Sequence, residues 1–128
     1  MIDADEKSGL KLISKNQEDI KVISAYLQDS IVKVKNIVFL KKNRIFIMIL
    51  NRFMWEDAEK GFFRKSKRIK SAVRFEDVID VKSYNINQKN KNKSLELLAI
   101  KITKNFDDNY KLKFFFLNKF LITQLLVF

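Results

Sequence analysis

The chain has 128 residues, of which 47% are hydrophobic and 12% aromatic, enough apolar material for the core of one domain. It contains no Cys and no His, which excludes disulfides, thiolate metal sites and the His-dependent catalytic and metal centres. The formal charge of +11 suits a nucleic-acid backbone or another anionic partner. The abundance of Lys, Asn, Ile and Phe is also typical of an AT-rich genome, so codon bias is an alternative source of the charge.

Glycine, too, limits the possible functions. The only glycines are Gly9 and Gly61, so neither a GxxxxGK phosphate loop nor a GxGxxG dinucleotide turn exists. Without His, Cys and glycine loops, no catalytic residue, metal ligand or cofactor-binding residue is assigned and no cofactor is expected. A non-enzymatic protein is favoured over an enzyme.

The two ends of the chain bear on its location. Residues 1–9 are polar and acidic, and we predict a flexible tail there, followed by a single α+β domain over residues 10–128. The longest apolar run, residues 120–128, is far shorter than the roughly 20 residues of a membrane-spanning helix. A cytoplasmic location is the expectation.

The first elements in chain order are a short strand over residues 10–14 and then a helix. Asn16 can cap a helix running from Gln17 to about Asp29. Its apolar residues recur at helical spacing, at Ile20, Ile23 and Leu27.

After this helix the hydrophobic period changes from 3.6 to 2, which indicates a series of antiparallel strands. The predicted strands are residues 31–40, 44–55, 68–75, 78–86, 95–103, 110–117 and 120–127. The fold class that follows is α+β, with one N-terminal helix and a curled antiparallel sheet or partly open barrel of about seven strands.

A basic segment precedes the third of these strands, and we predict that it binds anions. It combines Phe62 and Phe63 with the cations Arg64, Lys65, Lys67, Arg68 and Lys70. Such a segment can hold phosphates while its rings stack on bases, or it can enter the headgroup layer of an anionic membrane. A solvated loop is the alternative interpretation.

Two further groups of residues are candidates. Arg52, Trp55 and Glu56 lie close together in sequence at the end of an apolar strand and could contact a ligand or partner. Alternatively, Trp55 anchors the edge of the core and Arg52 pairs with an acid. The sequence Asp80-Val81-Lys82, with Glu76 nearby, matches a short element of metal-dependent nucleases, although a charge pair on a strand explains it equally well.

Several blocks of the chain together resemble a small bacterial family called domain of unknown function 2948. The blocks are residues 10–13, 18–19, 22–29, 51–53, 55–56 and 97–100, and the resemblance covers about residues 10–116. It implies an intracellular bacterial protein. Family members are rich in Arg where this chain has residues 64–70, which favours an anionic partner, a protein or nucleic acid, over codon bias.

The family pattern and this chain differ after the last strands. The resemblance implies an acidic amphipathic C-terminal helix, which would cap an open barrel as in pleckstrin-homology-like folds, whereas this chain continues with the apolar segment 117–128. From this difference we expect an exposed apolar edge and self-association through the C-terminal strand.

Overall fold

The computed structural model describes residues 2–6, 11–14, 17–53, 68–104 and 109–126. Within them the chain forms one α-helix and nine strands. In chain order the elements are β1 Ile2–Glu6, β2 Lys11–Ser14, α1 Gln17–Leu27, β3 Ile31–Leu40, β4 Ile45–Phe53, β5 Arg68–Phe75, β6 Val78–Tyr84, β7 Ser94–Lys104, β8 Tyr110–Phe116 and β9 Phe120–Leu126.

All the strands belong to one curled antiparallel sheet in the order β2-β1-β5-β4-β3-β7-β8-β9-β6. The chain leaves β5 through a two-residue corner, where Asp77 has a φ of 59°, and β6 then pairs with β9 at the other end of the order. The Val78 N–H donates to the Arg44 carbonyl at 2.9 Å. This bond brings β6 beside the start of β4 without closing the sheet into a barrel.

Helix α1 packs on the inner side of this sheet because its apolar residues fall on one face. Ile20, Ile23 and Leu27 are all buried. Beyond the helix, Asp29 takes a left-handed conformation with φ 63°, and its N–H donates to the Leu97 carbonyl at 2.8 Å. The helix is thereby fixed against β7.

Three aromatic rings form the centre of the core. Phe46, Phe75 and Phe114, from β4, β5 and β8, have centroids separated by 5.3 to 5.9 Å, and each ring is buried. Aromatic pairs at such separations add to the free energy of burial. The rings therefore join β8 to the neighbouring strands β4 and β5, with which β8 does not pair in the sheet.

The structure confirms the α+β class, the single helix and the seven strands that follow it. The bounds of β3 and β5 agree with the prediction residue for residue, and the other strand ends that can be compared differ by one or two residues at most. The predicted ends at residues 10, 55 and 127 lie outside the described residues. Strand β1 was not predicted, because three of its five residues are acidic and acidic residues are depleted in strands. It lies within the segment 1–9 assigned to a tail; the proposed domain boundary stays a prediction.

The C-terminal strand β9 was expected to leave an apolar edge exposed. Strand β9 pairs with β8 on one side and with β6 on the other, so both of its backbone edges are occupied. The free edge on which the predicted self-association depends is therefore not found in β9.

Gln124 on β9 offers a test of this core. Its side chain is 1% exposed, and neither its amide nitrogen nor its amide oxygen has a hydrogen-bond partner. An unpaired buried amide costs free energy, and Met fills a similar volume without a polar atom. We expect Gln124→Met to raise the free energy of unfolding by about 1–2 kcal/mol in urea titrations.

The matched control is the adjacent Thr123, which is half-buried. Because side chains alternate along a strand, Thr123 points to the other face, and Thr123→Met should change stability by less than about 0.5 kcal/mol. A loss of stability in Gln124→Met would contradict the prediction.

Candidate functional site

Strand β3 separates from β4 in the middle of its length. Val32 pairs with Leu50 and Ile37 with Met48, so residues 33–36 of β3 stand opposite the single residue Ile49. The backbone N–H groups of Val34 and Lys35 instead donate to the carbonyls of Lys93 and Lys91, both at 3.0 Å. Bulges of this kind bend a strand and re-aim its side chains. A gap remains between the two strands on the outer face of the sheet.

This gap is a groove of about 400 Å³, which we call the basic groove. Its lining residues are Ile31, Lys33, Lys35, Asn36, Ile49, Leu50, Asn51 and Lys70. Lys33 and Lys35 are exposed on β3, and the exposed Lys70 lies on β5 on the far side of Asn51, its partner in register. Three ammonium groups thus surround one depression.

The charge of the basic groove is of one sign. None of the described residues that line it carries a carboxylate, and the carboxylate placed nearest by register is that of Glu96, opposite Ile31. Asn36 and Asn51 add amide groups that both donate and accept hydrogen bonds. The arrangement suits an anion that also carries hydrogen-bonding groups.

Arg68 extends the positive surface beyond Lys70. It lies two residues earlier on β5, opposite Phe53, and is exposed. Its Nη1 donates to the Asp29 carbonyl at 2.7 Å and to the Asn51 carbonyl at 3.4 Å. These bonds use one nitrogen of a guanidinium that has five N–H donors. Arg68 is held in position and can still meet an anion.

Two of the five residues predicted to bind anions therefore lie beside the basic groove. They are Arg68 and Lys70; the other three, Arg64, Lys65 and Lys67, fall outside the described residues. Lys33 and Lys35 were not among the predicted site residues. Their alternation with Val32 and Val34 could have indicated them. It places both lysines on the solvent-exposed face of the strand and both valines on the buried face.

Of the second candidate group, Trp55 and Glu56 also fall outside the described residues, whereas Arg52 is described. The Arg52 side chain is 0% exposed. Its Nη1 donates to the Phe53 carbonyl at 3.1 Å, and its guanidinium carbon is 5.9 Å from the centre of the Tyr26 ring. In this position it connects β4 to α1. Its contact with a ligand or partner stays a prediction.

The residues of the nuclease hypothesis all fall within the described part of the chain. Asp80 and Lys82 are exposed on β6, and the Glu76 carboxylate pairs with Arg74 at 3.0 Å. In the part of the chain that the structure describes, no three acidic residues are close enough to hold a metal ion. Nothing in this geometry favours a nuclease.

The fold and the groove define a small α+β protein with one helix, a curled open antiparallel sheet and a basic outer face. Residues 10–123 match the family described as protein of unknown function DUF2948, and the chain belongs to that family. No curated protein and no solved structure matches it. The likeness to pleckstrin-homology-like folds stays a prediction. No helix among the described residues is long and apolar enough to cross a membrane.

Proposed function

We propose that this protein is a non-enzymatic binding module for an anionic partner and that the partner binds in the basic groove. The observation that carries the proposal is the placement of Lys33, Lys35 and Lys70 around one groove whose described lining contains no carboxylate. These residues come from two strands separated in sequence. A uniform excess of lysine from codon bias would not by itself gather them.

Single-stranded nucleic acid is the partner that the basic groove favours. Lys33 and Lys35 are two positions apart on one face of β3, about 7 Å along the strand, and a phosphate backbone presents negative charges at regular intervals. Asn36 and Asn51 can hydrogen-bond to base edges or sugars in the same groove. The predicted basic segment 64–70 leads into β5 in sequence, and its described members Arg68 and Lys70 lie on that strand. An acidic protein is the alternative partner.

Fluorescence anisotropy with labelled RNA and single-stranded DNA tests this proposal. The protein should bind both at micromolar concentration in about 50 mM salt. Three phosphate contacts correspond to a salt slope of about 2, so affinity should fall roughly 20-fold or more at about 200 mM salt.

An acidic peptide of matched length and charge serves as the comparison. The absence of salt-sensitive binding to RNA and DNA, with binding of the acidic peptide, would replace nucleic acid by protein as the partner. No binding to any of the three would overturn the proposed function.

A further inference from the structure

A second cavity opens on the inner side of the curled sheet, between β6 on one side and β3 and β4 on the other. Its volume is about 330 Å³, and we call it the inner pocket. The hydrogen bond from the Val78 N–H to the Arg44 carbonyl joins β6 to the start of β4 at one end of this cavity, and the turn between β6 and β7 lies at the other end. The inner pocket therefore occupies the gap that an open sheet leaves beside its core.

The side chains of the inner pocket are mainly apolar. Three of them, Val34, Phe46 and Ile122, belong to the buried core. The other apolar lining residues are half-buried: Ile37, Phe39, Val81 and Ile86. Ligand pockets have this composition, and their volumes begin near 300 Å³. An apolar group that enters would cover surface that now meets water.

Three polar residues lie among these apolar side chains: Ser83, Gln88 and Lys91. The Gln88 Nε2 donates to the Ser83 Oγ at 3.1 Å, which leaves the Ser83 hydroxyl hydrogen available as a donor. Lys91 is exposed, and within the described residues its ammonium group forms no ion pair. A carboxylate accepts hydrogen bonds from both of these donors.

The surrounding charge selects against cations. Lys89 and Lys93 flank Lys91 in the same turn, and none of the described residues that line the inner pocket is acidic. A positively charged ligand would be repelled, and a fully polar anion would leave the apolar walls uncovered. The ligand must therefore combine one negative end with an apolar body.

We propose that the inner pocket binds a medium-chain carboxylic acid, with its hydrocarbon chain between Phe46 and Ile122 and its carboxylate beside Lys91. An engineered apolar cavity of roughly 150 Å³ accommodates benzene, so twice that volume has room for roughly eight to twelve carbon atoms. This site is separate from the basic groove: Val34 lines the inner pocket, and Lys33 and Lys35 on either side of it line the groove.

Octanoate is the probe, titrated by calorimetry and followed through the methyl resonances of Ile37, Ile86 and Ile122. We expect saturable one-site binding with shifts confined to these methyl groups. Ile86→Trp fills the exit of the pocket and should weaken octanoate binding at least tenfold. Lys91→Glu should weaken it about tenfold in low salt, because a like charge then faces the carboxylate.

Lys89→Glu is the matched control for charge, because Lys89 lies in the same turn without lining the inner pocket. It should retain octanoate affinity within about twofold. Octan-1-ol, which has the same chain and no charge, should bind at least tenfold more weakly than octanoate. Thermal unfolding of each variant shows that it is folded.

Three results would overturn the proposal. They are no saturable binding of octanoate to the folded wild-type protein, unchanged affinity in both Ile86→Trp and Lys91→Glu, and equal affinity for octanoate and octan-1-ol. Val81→Phe narrows the pocket from β6 and replaces Ile86→Trp if that variant does not fold. None of these measurements depends on nucleic-acid binding.

Discussion

Phe114→Ala should lower the free energy of unfolding by about 3–5 kcal/mol, a large part of the stability of a small domain. The ring of Phe114 contacts those of Phe46 and Phe75 at centroid distances of 5.9 and 5.3 Å, and no part of it is exposed. Its removal leaves a cavity at the point where β4, β5 and β8 meet. Urea titration followed by circular dichroism measures the loss.

The adjacent Phe115 is a close control, because it has the same side chain on the same strand and faces the other way. It is half-buried, and its ring lies 5.6 Å from the Lys101 ammonium. Phe115→Ala should cost no more than about 1 kcal/mol. Equal losses in the two variants would show that the three rings are not the centre of the core.

The second large effect concerns the charge of the basic groove. Replacing Lys33, Lys35 and Lys70 together by Gln should weaken the binding of single-stranded nucleic acid by roughly two orders of magnitude in about 50 mM salt. The salt slope should become shallower by about 2, since each lost phosphate contact removes roughly 0.7. Anisotropy at several salt concentrations gives both quantities.

A second triple variant separates the groove from net charge. Lys41, Lys82 and Lys119 are exposed and do not line the basic groove, so their replacement by Gln removes the same charge elsewhere. This variant should keep most of the wild-type affinity. If the two triple variants bind equally, net charge and not the groove attracts the nucleic acid. A third variant, with Gln at positions 64, 65 and 67, then measures how much the predicted basic segment contributes to the affinity for nucleic acid.

Much of the fold could be predicted because it depends on local patterns. The helical spacing of Ile20, Ile23 and Leu27 fixed the buried face of α1, and the alternation in residues 68–75 marked β5. The pairing of strands could not be predicted in this way. That β6 leaves β5 and joins β9 depends on the left-handed corner at Asp77 and on contacts distant in sequence.

The candidate site was less predictable for a related reason. Residues 32–35 alternate between Val and Lys, and the alternation stops at Asn36. That break alone does not show that β3 leaves β4 at Lys33 and rejoins it at Ile37. The groove exists only because of that separation. Arg68 and Lys70 could be predicted because they belong to a dense run of cations. Lys33 and Lys35 could not, because only the register of β3, β4 and β5 shows that they lie near Lys70.

Lys91, in the turn between β6 and β7, contacts β3 and also lines the inner pocket. The Lys91 carbonyl accepts a hydrogen bond from the backbone N–H of Lys35, which lines the basic groove, and the Lys91 side chain lines the inner pocket. Loops ordinarily tolerate insertions and deletions without effect on the sheet they connect. Here a change in the length of residues 85–93 should displace both the carbonyls that hold β3 and the side chains at the pocket entrance. Loop length is therefore not expected to alter one of the two surfaces without the other.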